Sequence, residues 1–197
     1  MSTLLTERQE DALREVANMG SAKAASMLAR LVGDVGVLVD VPVVLAANRY
    51  QLAWLLGGRD VKVHAAQFGI EGELTGQLWW VLREADAHRL GQRLLARPGV
   101  SGPLSSSAAA ALAEAANIVA SACVSAMGTL VHANLLPSTP LVKEGTVKTL
   151  IGNDENERTE TVLAANFTST NAPSFSGWLV VMFDAPTTER ALERLGL

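Results

Sequence analysis

Glu15-Val16-Ala17-Asn18 returns 99 residues later as Glu114-Ala115-Ala116-Asn117. Each copy lies in an alanine-rich stretch with helical spacing, and each is followed by an apolar run and a proline, Pro42 after the first and Pro140 after the second. An echo at a fixed offset in a chain of 197 residues marks two copies of one structural unit. Whatever a Glu and an Asn do on such a helix is then done in two places.

The segments around the two copies repeat in the same order. Thr6 with Gln9 forms a capping-box pattern that starts a long helix, running to about Leu31 and closed by Gly33 and Gly36. Val37 to Ala46 reads as a strand, with Pro42 inside it pointing to an edge or a strand start. A short helix follows over Arg49 to Gly58. Strands come next at Val61 to Ile70 and Gln77 to Leu82, and then helical spacing from Arg83 to Ala96. The composition of Arg97 to Pro103 is that of a linker.

The pattern then restarts. Ser105 to Ser107 offer N-caps to a second long helix, Ala108 to about Ala133. Short strands are expected at Leu141 to Val142 and Val147 to Ile151, and a charged loop at Asn153 to Glu160. A strand pair at Thr161 to Thr168 and Gly177 to Phe183 precedes a last helix, Thr187 to Leu195, begun by Pro186. The expected fold class is α/β (α+β). Two similar halves, about 1–97 and 104–197, are related by a pseudo-two-fold within one domain. They share a mainly antiparallel sheet, with the two motif-bearing helices on one side.

Bulk composition narrows the function. Hydrophobic residues make up 49% and charged residues 18%, as in an ordinary globular chain. A net charge of −4 without a Lys/Arg run argues against nucleic acid. The polar start of the chain is unlike a signal peptide, no uninterrupted apolar stretch reaches membrane-spanning length, and the lone Cys123 suits a reducing compartment. The expectation is a cytoplasmic protein without a membrane partner. His64, His88 and His132 share no ligand spacing, so no metal or other cofactor is assigned to the chain.

At about 100° per residue, Asp11, Glu15, Asn18, Ala22, Ala25 and Ala29 share one face of the first helix. Leu13, Val16, Ala17, Ala24, Met27, Leu28 and Leu31 share the other. In the second helix Ala110, Glu114, Asn117, Ser121 and Gly128 oppose Leu112, Val119, Cys123, Ala126 and Leu130. Both polar pairs should therefore face water over a floor of small side chains. Glu and Asn at i and i+3 are surface neighbours. The carboxylate grips a cation, and the amide both donates and accepts without titrating. Neutral Asn is a poor base, so the pair suits orienting a water toward a phosphoryl group bound elsewhere. A single Glu-x-x-Asn is ordinarily a solvated helix surface; the duplication on matched faces argues for more. No nucleophile, base or metal cluster supports a small-molecule enzyme.

These residues resemble the CheC-type chemotaxis phosphatase family, which includes CheC, CheX and a domain of FliY. The family pattern is an acidic residue or serine, three residues, Glu, two residues, Asn, and a proline about two dozen residues on. Asp11, Glu15, Asn18 and Pro42 match it, as do Ala110, Glu114, Asn117 and Pro140, with Ala110 replacing the acidic or serine member. Asn18-Met19-Gly20-Ser21-Ala22-Lys23-Ala24-Ala25 also looks like the family's stretch after the asparagine. Two copies in one chain look like CheC rather than single-motif CheX, with no room for the C-terminal switch domain expected of FliY.

The resemblance implies hydrolysis of the aspartyl-phosphate of a CheY-type response regulator. Asn18 and Asn117 would orient the attacking water, Glu15 and Glu114 would dock on the regulator's lysine, and Asp11 and Ala22 would lie in the contact. Mg2+ would reside in the regulator's site. A CheD-type deamidase is a further implied partner. The rival reading is a non-catalytic adaptor that binds a receiver domain or such a deamidase.

Overall fold

The computed structural model describes residues 5–33, 36–96, 104–151 and 159–197. The expected linker at 97–103 and most of the charged loop after residue 151 lie outside them. The chain reads α1 (Glu7–Leu31), β1 (Val37–Val39), β2 (Val43–Ala47), α2 (Arg49–Leu55), β3 (Lys62–Gly72), β4 (Gly76–Arg83) and α3 (Glu84–Leu94). The same succession follows as α4 (Ser106–Leu130), β5 (Leu135–Pro137), β6 (Leu141–Thr146), α5 (Val147–Ile151), β7 (Glu160–Ser169), β8 (Ser176–Phe183) and α6 (Ala185–Arg194).

Local chemistry accounts for most boundaries. Thr6 and Gln9 form the expected reciprocal capping box, and Ser105 caps α4 by accepting from the Ala108 N–H. Asp184 caps α6, with Pro186 in its first turn. Pro42, which lacks an N–H for the ladder, splits the expected single strand into β1 and β2. Pro140 stands at the same place between β5 and β6.

One expectation fails. Val147 to Ile151 is helix, not strand. Its β-branched residues favour a strand locally. The tertiary fold prevails: Val147 and Ile151, one helical turn apart, are both buried against the sheet.

Among the described residues all strand pairings are antiparallel, in one eight-stranded sheet ordered β1-β7-β8-β4-β3-β5, with β2 also on β7 and β6 also on β3. The halves exchange edges: the first half's short strands pair with β7 of the second, and the second half's with β3 of the first. Hairpin register repeats too, since Val63↔Arg83 corresponds to Val162↔Met182 at the motif's own offset. The pseudo-two-fold runs through the central β4·β8 ladder.

Helices cover both faces of this sheet. α1, α3, α4 and α6 pack on Ala66, Phe68, Leu78, Trp80, Leu163 and Val181. α2 and α5 cover Val63, Ala65, Trp79, Val162 and Val180 on the other face. Burial on both sides is why β4 and β8 read as continuous apolar runs instead of alternating. α4 is long and apolar enough to cross a membrane by length and composition. Here that apolarity serves the core, with Leu112, Val119, Cys123, Val124 and Met127 all buried.

Candidate functional site

α1 and α4 make the most extensive helix–helix contact in the molecule and lie together on one face of the sheet. Gly20 permits the approach. A Cβ there would stand 2.7 Å from Met127 Cγ and 3.0 Å from Cys123 Sγ. Burial in this packing pushes the Cys123 thiol up to about 12, which makes it the inert core residue its helical position suggested.

The motif side chains point away from that contact. Glu15, Asp11 and Ala22 are exposed and Asn18 is half-buried; on α4, Ala110, Glu114, Asn117 and Ser121 are all exposed. Among the described residues, no side chain forms a hydrogen bond or ion pair with Glu15, Glu114 or Asn117. Asn18 enters only through its backbone carbonyl, which accepts from Ser21 Oγ at 3.2 Å. Asp11 pairs with Arg14, which also reaches Glu10 at 3.9 Å.

The expected helix phase needs adjustment at several positions. Ala25 is buried and Ala29 half-buried, so the exposed face of α1 centres nearer Glu15, Met19 and Ser26, leaving Asn18 on its margin. Gly128 is buried as well, because the chain folds back after α4 and puts Ala133 O 2.6 Å from where its Cβ would be. Met27, Leu31, Ala126 and Leu130, expected in the core, are half-buried.

Two further groupings were hidden in the sequence. His64 on β3 and His88 on α3 come together, their rings 6.5 Å apart and edge-on, with His64 Nδ1 3.7 Å from Glu144 Oε2 on β6. Among the described residues no group of three His, Cys, Asp or Glu side chains is placed to hold a metal ion. At the C-terminal end of α4 a cleft of about 580 Å³ is lined by Ser125, Thr129, His132, Glu73, Asn134 and Leu136. Arg194 fixes its wall by donating to His132 O at 2.6 Å and pairing with Glu73, whose carboxylate also accepts from the Asn134 N–H at 3.1 Å. These two bonds hold the Glu73 carboxyl below the usual carboxylate range, the backbone bond contributing most. Only the folded pairing brings these groups together, so spacing along the chain carried no signal of either.

Two Glu–Asn pairs thus lie on the outer faces of paired helices, with a proline break in the edge strands of each half. The CheC-like family model matches residues 9–45, which contain the first motif and Pro42. The CheY-P phosphatase CheC of Bacillus subtilis is 31% identical over 144 residues, covering 70% of this chain and 67% of that protein. The chain belongs to the CheC-like family. Its fold agrees with solved CheC-like relatives. FliY of Thermotoga maritima superposes with a TM-score of 0.76 over 98% of both chains at 15% identity. The chemotaxis protein CheX from Desulfovibrio desulfuricans gives 0.58 over 85% of this chain and 97% of its own, also at 15% identity. The FliY match extends through both halves.

Proposed function

We propose that this CheC-like protein hydrolyses the aspartyl-phosphate of a CheY-type response regulator. The observation that carries the reading is the twice-built pair of an exposed carboxylate and an amide, Glu15/Asn18 and Glu114/Asn117, on helices related by the pseudo-two-fold. The likeness to a protein named a CheY-P phosphatase supports it.

In this reading each asparagine enters the regulator's phosphorylation site. Its amide holds a water in line with the phosphorus. Water adds as the acyl-phosphate P–O bond breaks, releasing inorganic phosphate and leaving the regulator's carboxylate free. Positioning is most of the work in such a transfer. Glu15 and Glu114 ion-pair with the regulator's lysine and hold the register, while Asp11 and Ala22 lie at the rim of the first contact. The Mg2+ belongs to the regulator, and the protein works in the cytoplasm.

The test is the lifetime of the phosphorylated regulator. Wild-type protein shortens it. The Asn18→Ala/Asn117→Ala double variant loses that acceleration by about 100-fold or more, the scale of removing an oriented polar group from a transfer reaction, while still binding the regulator. A lifetime unchanged by wild-type protein that nevertheless binds the regulator or a CheD-type deamidase would make the protein an adaptor.

A further inference from the structure

We propose that a cavity on the α2 face of the sheet binds a small zwitterion with a cationic tail, the chemical class of free arginine. The site lies across the sheet from the Glu–Asn helices and is independent of the role given to those pairs. The cavity measures about 340 Å³, within the range of small-molecule sites. Its floor is apolar, built by Leu56 of α2 with Val63 of β3 and Val81 of β4. Arg83, Ser176 and Trp178 stand around that floor, because Val81 and Arg83 alternate on β4 as Ser176 and Trp178 do on β8, and Val81 pairs with Trp178. Asp40 completes the wall, its backbone N–H donating to Asn166 O at 3.0 Å and its carboxylate exposed. The Arg83 guanidinium lies against Gly57, where an added Cβ would stand 2.6 Å from Nη2. Among the described residues neither the Asp40 nor the Arg83 side chain has a hydrogen bond or ion pair, and the Trp178 indole N–H has no acceptor.

The pseudo-two-fold shows what chemistry this place accepts. The register Asn166↔Trp178↔Val81 recurs one repeat away as Gln67↔Trp79↔Val180. There the tryptophan is buried and the chain's own side chains complete the site. Trp79 Nε1 donates to Gln77 Oε1 at 3.1 Å, and the Arg49 guanidinium lies over the ring, 5.5 Å from its centroid, with Glu160 4.0 Å from Arg49 Nε. Around Trp178 both partners are changed. The shorter Ser176 stands for Gln77, and Lys148, the counterpart of Arg49, pairs with Asp60 at 2.6 Å. Trp178 is left half-buried as a wall of the cavity. A ligand guanidinium on the Trp178 face supplies what Arg49 supplies to Trp79, and its planar stacking favours it over an ammonium there. A ligand carboxylate pairs with Arg83 and accepts from the indole N–H, while Asp40 takes the α-ammonium.

The probe is L-arginine, titrated calorimetrically into the full chain. Wild-type protein should bind it with a Kd of about 1 mM or tighter. Ser176→Gln, which copies Gln77 into the cavity, and Asp40→Asn should each weaken binding about ten-fold or more. Agmatine keeps the guanidinium and lacks the carboxylate; it should bind wild-type protein at least about five-fold more weakly, and Arg83→Gln should bring arginine down to the same affinity. Asp40→Asn changes one exposed group and keeps the test decisive should Ser176→Gln disturb folding. No measurable arginine binding by wild-type protein at about 10 mM, or an affinity that Asp40→Asn leaves within about two-fold, would overturn the proposal.

Discussion

Trp80 pairs with Leu179 across the central β4·β8 ladder, and each is the other's counterpart one repeat along. The pair maps onto itself under the offset that relates the two motifs, so the pseudo-two-fold passes through it. Both residues are buried beneath the helices that carry the Glu–Asn pairs, and Trp80 stacks obliquely on Phe167 at 6.1 Å. Trp80→Ala should cost about 3–5 kcal/mol, the range for emptying a large aromatic site. Trp80→Phe should cost under about 2 kcal/mol: it keeps a ring beside Phe167 and removes an indole N–H that has no protein acceptor among the described residues. Chemical denaturation of the two variants tests this. Equal losses would mean that the indole nitrogen is bonded in solution.

The Gly20–Met127 approach carries a second prediction. Gly20→Val places branched atoms where Met127 and Cys123 already stand and should destabilise by about 1–3 kcal/mol. Met127→Ala alone should cost about 2–5 kcal/mol. Together the two should cost less than their sum, since the valine fills space the methionine vacates. A double-mutant cycle by urea unfolding reads the coupling, and strict additivity would mean that the helices shift apart instead of repacking.

The repeat made much of this architecture legible. Thr6–Gln9, Ser105 and Pro186 announced helix starts through chemistry local to a few residues. The helix phase put Glu15, Glu114 and Asn117 in water, but missed the burial of Ala25 and Gly128, which depends on the neighbouring helix and on the returning chain. The β-branched residues of Val147–Ile151 favour a strand, although its position one repeat after α2 points to the helix that forms. The exchange of edge strands had no such signal. Val43 pairs with Ala164 more than 100 residues away, and nothing local to either strand names the other. The meeting of His64 with His88 and Glu144 follows from that same long-range pairing.

Helix ends supply a third prediction. α1, α2 and α6 are each followed, one residue past the C-cap, by a glycine in the left-handed region: Gly33, Gly57 and Gly196. After α3 that place is held by Ala96 at φ 51°. A Cβ in that region costs roughly 1–2 kcal/mol, partly offset by the lower chain entropy alanine brings to the unfolded state. Ala96→Gly should therefore stabilise by about 0.5–1 kcal/mol and raise Tm by about 1–4 °C. A fall in Tm would show that the alanine methyl makes a contact worth more than the strain.

His64 should make stability depend on pH near neutrality. Burial holds its imidazole below the ordinary value of 6.5; Glu144 pulls it up, His88 down, and Glu84 up more weakly. Lys62 lines a pocket with His64, Glu84, His88 and Glu144, while a second pocket beside His64 is lined by the apolar Ala109, Leu112 and Ala113 of α4. A depressed folded value means that the unfolded chain binds the proton more readily. The stabilisation is then fully present above pH 6.5 and is lost as pH falls below it. The counterpart position one repeat on is Leu163, which does not titrate. His64→Leu should accordingly flatten the decline in Tm between about pH 7 and about pH 5.5. Glu144→Gln should steepen it, because removing that carboxylate lowers the folded value further. Thermal melts across this range decide the matter: a wild-type decline that persists undiminished in His64→Leu would assign it to other groups.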